Sequence, residues 1–198
     1  GDGQNTIGMT ALNNADTITA GTHAKDKLTA TAVTGLTATT GKLNITDVET
    51  VQLQYTGANT IDASLLSGVN ELSFSGANLD QTVTGLAAGV KIGIGDSTAT
   101  VASDPILKIT LADSTGTDDA LTFAVDNTFA TTNNVAITMA GVETTTFKVE
   151  DNAYNWAANL SKLESDKIIF TGGNAGANVT LNAGTDDLFA STATVDAS

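Results

Sequence analysis

Asp26-Lys27-Leu28-Thr29, followed by Val48-Glu49-Thr50, returns as Asp119-Ala120-Leu121-Thr122, followed by Val142-Glu143-Thr144. A cassette that occurs twice marks a chain built from stacked units rather than around one unrepeated core. Each Val-Glu-Thr opens an alternating stretch, and an Asn/Ala/Ser/Leu-rich segment follows (58–67 and 153–161). Then comes Leu72-Ser73-Phe74-Ser75-Gly76 or Ile168-Ile169-Phe170-Thr171-Gly172. The offset between copies is 93 residues at the first Asp, 94 at Val-Glu-Thr and 96 at the Phe. Small insertions of that kind belong in surface turns.

Composition points the same way. Of 198 residues 41% are hydrophobic but 5% aromatic, so the core is built from Val, Ile, Leu and Ala. Thr is abundant, Gly occurs 19 times and Pro once. β-Branched residues resist helix and fill pleated surfaces, while Gly supplies turns, so the chain reads as all-β. Strand-like alternation runs through 27–33, 42–45, 48–55, 71–75, 81–84 and 90–94, and again through 106–111, 120–125, 134–139, 143–149, 167–171 and 178–181. Asn155–Leu163 and its counterpart Asp62–Leu66 are the two places where a helical turn is expected, each too short for an independent helix.

Two architectures satisfy this pattern: an irregular parallel β-solenoid built from two repeats of about 95 residues, and an antiparallel β-sandwich. Asn-rich turns that are not hairpins, the repeat itself and the scarcity of aromatic anchors favour the solenoid. The expected organisation is a connecting segment at 1–25, a first repeat at 26–100, and a second repeat with the start of another at 101–198. Since the chain opens mid-pattern at Gly1-Asp2-Gly3, it reads as part of something longer, with any export signal outside it.

Charge narrows the function. The net charge is −14, from 22 acidic and 8 basic residues, and all of the basic ones are Lys. Without Arg there is no bidentate phosphate reader, which argues against nucleic acid. No apolar run approaches the roughly 20 residues of a membrane span. There is no Cys, so neither disulfides nor a thiolate metal site arises. His23 is the one histidine and reads as an exposed loop residue, which leaves no triad or multi-histidine zinc site within the chain.

Asp outnumbers Glu about three to one, and short carboxylates in Gly/Asn/Thr loops suit an oxygen-ligand cation. Asp118 and Asp119 with Asp113, and the pair Asp186 and Asp187, are the sharpest calcium candidates; their ordinary role would be capping turn amides. Glu49 and Glu143 share one cassette position, so one role is filled twice. That role is either the polar face of an alternating strand, or service as a ligand or as an acceptor for a neighbouring rung's amides. Tyr154 and Trp156 read either as an interface anchor or as a local plug.

With Val-Glu-Thr at 48–50 and 142–144, Asn59-Thr60-Ile61-Asp62-Ala63-Ser64, and Thr84-Gly85-Leu86-Ala87-Ala88-Gly89, the chain resembles the β-strand repeat regions of bacterial surface-layer proteins. It is similar, too, to related large proteins exported by type I secretion, which often carry RTX calcium repeats. The RTX pattern pairs turn glycines with a ligand Asp two residues before an apolar residue. Asp16, Asp26, Asp119 and Asp187 fall at matching positions, although the double glycines are missing. The resemblance implies an extracellular segment at the bacterial cell surface, without enzymatic activity, that self-associates with other copies or flanking domains into a lattice with the help of calcium. Cell-surface polysaccharide is a further expected partner. The alternative expectation is an adhesin stalk, or a β-helix that binds or cleaves carbohydrate.

Overall fold

In the computed structural model the described residues are 3–31, 33, 36, 43–55, 59–76, 81–94, 106–125, 134–149, 155–172, 178–182 and 194–197. They form β-strands joined by turns, with one short 3-10 helix at Ala63–Leu65. One sheet of nine strands collects β1 (Thr6–Met9), β3 (Lys27–Ala30), β5 (Thr50–Tyr55), β7 (Glu71–Gly76), β9 (Lys91–Ile94), β11 (Ala120–Val125), β13 (Thr144–Val149), β15 (Lys167–Gly172) and β17 (Thr194–Ala197), in that spatial order. A second sheet of six collects β6 (Asn59–Asp62), β8 (Gln81–Leu86), β10 (Ile106–Leu111), β12 (Asn134–Met139), β14 (Asn155–Leu163) and β16 (Asn178–Asn182). A third, small sheet pairs β2 (Thr17–Thr19) with β4 (Asn44–Thr46).

Every strand pairing among the described residues is parallel. The protein is therefore a β-solenoid, and the antiparallel sandwich is set aside. Parallel neighbours cannot be joined by a tight hairpin, so the chain must travel round the molecule before it returns to the same sheet. Odd-numbered strands fall in one sheet and even-numbered strands from β6 onward in the other because each coil visits both.

The circuit length is the structural repeat. It is 21 residues from Thr6 to Lys27, 23 to Thr50, 21 to Glu71 and 20 to Lys91. Between Ile92 and Phe123 it lengthens to 31. The two Val-Glu-Thr cassettes precede β5 and β13, four steps apart in the nine-stranded sheet. The repeat of about 95 residues is thus a stretch of several rungs whose corners happen to carry the same residues.

Within the segment 1–25, residues 6–9 and 17–19 form β1 and β2 of the first rung, and β1 pairs with β3 along its whole length. One sequence expectation is corrected. Asn155–Leu163, expected as a helical turn, is the strand β14, held in parallel register by β12 on one side and β16 on the other. Two ladders of backbone hydrogen bonds outweigh a weak local helical preference. Strand pairing continues from β9 to β11 and from β8 to β10.

Alternation places one row of side chains in the core. Leu28, Val51, Leu72 and Ile92 stand in register on four successive strands, and all four are fully buried. Further along, Phe123, Phe147 and Phe170 align on β11, β13 and β15. Their rings stack at 5.2 and 5.3 Å between centroids, each pair 15° from parallel. Few aromatics suffice because each one covers the next.

Candidate functional site

The corner that leads into the nine-stranded sheet is built from a recurring local unit. Asp47, Gly68, Gly89 and Gly141 all have positive φ, between 55° and 82°, and each is followed by Val. The left-handed residue turns the chain, and the Val drops into the core; Val48, Val69 and Val142 are buried. Glycine meets this backbone demand without steric cost, and Asp is among the residues that tolerate it.

The residue after each Val sits at the rung-to-rung contact. The Asp26 carbonyl accepts the N–H groups of both Glu49 and Thr50 at 3.1 Å. The Glu49 carbonyl accepts those of Asn70 and Glu71, and the Asp119 carbonyl those of Glu143 and Thr144. This pattern leaves the N–H groups of Asp26 and Asp119 facing the next rung. Glu49 Oε2 accepts the first at 2.7 Å and Glu143 Oε2 the second at 2.8 Å. Of the two readings open for these glutamates, the acceptor role is the one observed.

The carboxylates at the Asp positions have different fates. Asp26 is fully buried. Its Oδ1 accepts the Asn5 backbone N–H at 2.6 Å and the Asn5 side-chain amide at 3.1 Å, and its Oδ2 accepts Gly21 N–H at 3.2 Å. Asp26 thereby binds two stretches of its own chain rather than standing ready for a cation. Asp119 has no such donors. Asp119 Oδ2 is shielded from solvent with no hydrogen-bond partner. The Asp119 carboxylate packs against Gly116, where a Cβ would come within 3.0 Å of Oδ2.

The remaining candidates lie around these corners. Asp113 is exposed and closes a turn, accepting the Thr115 N–H at 3.1 Å and the Thr115 hydroxyl at 2.7 Å. The Thr115 hydroxyl, then its N–H, hold the Asp113 carboxyl below the ordinary aspartate value. Asp118 is exposed. Asp16 Oδ2 accepts Asn13 N–H at 2.9 Å within its own loop. Asp186, Asp187 and Tyr154 lie outside the described residues, and the side chain of Trp156 is not among those described. Among the described residues no three His, Cys, Asp or Glu side chains gather as a metal-binding group. His23, expected in the open, is half-buried, and its Nδ1 is shielded without a hydrogen-bond partner.

A feature the sequence reading missed is a hollow of about 320 Å³ beside the third, short sheet, lined by Leu66, Val69, Leu72, Leu86, Ala87 and Ala112 among others. Ile18 and Ile45 pair in register, and Ile45 bridges to Leu66. Leu66-Ser67-Gly68-Val69 and Ala87-Ala88-Gly89-Val90 carry the same left-handed glycine and Val, but the buried residue at the second corner is Leu86, and Ala87 is exposed at the edge of the hollow.

Among the described residues no helix is long and apolar enough to cross a membrane. Comparison of the chain with protein-family models, with curated proteins and with solved structures gives no match.

Proposed function

We propose that this chain is a structural module of an extracellular bacterial surface-layer protein, which self-associates into a cell-surface lattice with the assistance of calcium. The observation that carries this reading is the continuous nine-stranded parallel sheet. A solenoid in which each rung rests on its neighbours is a rod whose long outer faces are available for contact. The surface is acidic, with a net charge of −14, so a divalent cation that neutralises carboxylates lowers repulsion between copies.

The calcium part of the reading rests on Asp119. Calcium takes six to eight oxygen ligands, with about 2.3–2.6 Å to each. A shielded carboxylate oxygen lacking a donor is an acceptor still to be satisfied, and Asp119 Oδ2 is one. Asp119 would hold the ion, with Asp118 and Asp113 of the same loop as further carboxylates; Asp16 and Asp26 already bind backbone N–H groups. The ion would supply charge neutralisation and a cross-link between loop and corner.

The test is thermal unfolding followed together with light scattering, first in chelator and then through a calcium titration, with magnesium as control. A site holding calcium at ten times its dissociation constant stabilises the fold by about 1.4 kcal/mol. A calcium-specific rise in melting temperature with scattering on assembly is expected. No change at millimolar calcium removes the cation from the account, and no association at any concentration removes the lattice.

A further inference from the structure

We infer that copies of this chain pack side by side, the outer face of the nine-stranded sheet of one receiving the acidic edge of the next. The contact rests on the self-associating reading above and gives it two unlike surfaces.

Strand alternation sorts the charges. Leu28, Ile92, Phe147 and Ile168 are buried in the core, so their neighbours Lys27, Lys91, Lys148 and Lys167 stand on the outer face of the sheet. The strands of this sheet from β1 to β15 contain a single carboxylate, Glu71, in register beside Lys91. Half of the eight lysines of the chain thus share a face with one of its 22 acidic residues. Small polar groups such as Thr29, Gln52, Ser73 and Thr146 fill the space between them. Gly93 keeps the middle of the face low, since a Cβ there would come within 2.5 Å of Ser73 Cβ. Nine rungs about 4.8 Å apart, with strands of up to six residues, give a face of roughly 40 by 20 Å, about the 800 Å² per partner of a standard interface.

The acids lie at the corner that leads into this sheet. Asp47 precedes β5, Asp118 precedes β11, and Glu164 and Asp166 precede β15; all four are exposed. Glu49 and Glu143, in the same row of corners, already accept backbone N–H groups. Each copy therefore carries a cationic face and an anionic edge along one rod, and the partner that complements both is a second copy. At physiological ionic strength charges more than about 8 Å apart are largely screened, so two copies in contact respond to these local charges more than to the net −14. A contact between unlike surfaces leaves one of each free on every copy, and it propagates into an open array.

The test is sedimentation of the full chain in calcium over a range of concentrations, with two double variants. Lys148→Glu with Lys167→Glu reverses the face, and Glu164→Lys with Asp166→Lys reverses the edge. All four side chains are exposed, so wild-type melting temperatures are expected for both. Each variant alone is expected to associate at least about tenfold more weakly, because like charges then meet. An equal mixture is expected to associate again, since the reversed face of one meets the reversed edge of the other. General repulsion predicts a different pattern: the face variant is more acidic than wild type and the edge variant less so, and the edge variant would associate more tightly. That result, a mixture that stays apart, or wild-type association that is the same in low and high salt overturns this contact and leaves the self-associating reading standing. A wild-type chain that stays monomeric at millimolar concentration overturns both.

Discussion

The carboxylate of Glu49 accepts the backbone N–H of Asp26 at 2.7 Å, across 23 residues of chain and one rung of the solenoid. Glu143 does the same for Asp119 at 2.8 Å. A side chain here completes a ladder that the backbone alone leaves open, because the Asp26 and Asp119 carbonyls each take two N–H groups from the next rung while their own N–H groups find no carbonyl. Hydrogen bonds to a charged acceptor contribute about 1.5–3 kcal/mol. Glu49→Ala and Glu143→Ala are each expected to destabilise by about that amount in urea unfolding, and the Gln variants, which keep an acceptor, by roughly half. Loss near zero for both Ala variants would show that water replaces the carboxylates.

Asp26 and Asp119 occupy the same cassette position yet should respond oppositely to removal. Asp26→Ala strands N–H groups of Asn5 and Gly21 beside a buried site, so a cost of about 2–3 kcal/mol is expected. Asp119→Ala removes a shielded oxygen that has no donor. In chelator it is expected to be neutral or mildly stabilising, and in calcium it is expected to abolish any cation-induced rise in melting temperature. Equal losses for the two variants in chelator would contradict the asymmetry.

The left-handed corners give a paired prediction. Asp47→Gly exchanges a small backbone penalty for extra freedom in the unfolded chain and is expected to change stability by less than about 0.5 kcal/mol. Gly141→Ala faces both a φ of 67° and a Cβ placed 2.8 Å from Ser114 Cβ and 2.9 Å from its carbonyl oxygen. It is expected to cost more than the 1–2 kcal/mol, roughly, that an ordinary residue incurs in that conformation. Thermal melts of the two variants, compared with wild type, decide it.

The pH response at the 112–116 turn follows from Asp113. Its folded value lies below the ordinary aspartate value, so the turn's stabilisation is present above the unfolded value of about 3.9 and is lost as pH falls through the lowered folded one. Carboxyl carbon shifts followed by NMR should titrate below the ordinary range in the wild type and return towards it in Thr115→Val. An unchanged titration in that variant would remove Thr115 as the cause.

Much of this was legible in the residues. The alternation at 106–111 and 144–149 placed those strands, and the Thr- and Gly-rich composition placed the class. The parallel solenoid followed from turns that are not hairpins. The true period was harder to see, because the corner unit is reduced to a left-handed residue and a Val, and the left-handed residue changes from Asp47 to Gly68, Gly89 and Gly141. Asn155–Leu163 misled because its Ala and Leu favour helix locally, while its strand state is imposed by neighbours far away in sequence. The different fates of Asp26 and Asp119 were not readable at all. They depend on which N–H groups a distant stretch of chain presents, those of Asn5 and Gly21 to Asp26 and none to Asp119 Oδ2, a fact of packing rather than of motif.

The long circuit between β9 and β11 has a mechanical meaning. Residues 92–94 and 123–125 are the paired segments at that step, against 120–125 and 144–149 at the next. Among the described residues of the nine-stranded sheet, that step carries three register pairs against four to six at the others, and in a rod where each rung is held by its neighbours a shorter pairing cooperates less. Pulled from its ends, the protein is expected to yield first there and to extend as two blocks in succession, which a single-molecule force trace would record as two separate length increments. On the proposed reading, a coat assembled from such rods would carry a built-in point of give, one that opens and recloses before the rest of the rung stack is disturbed.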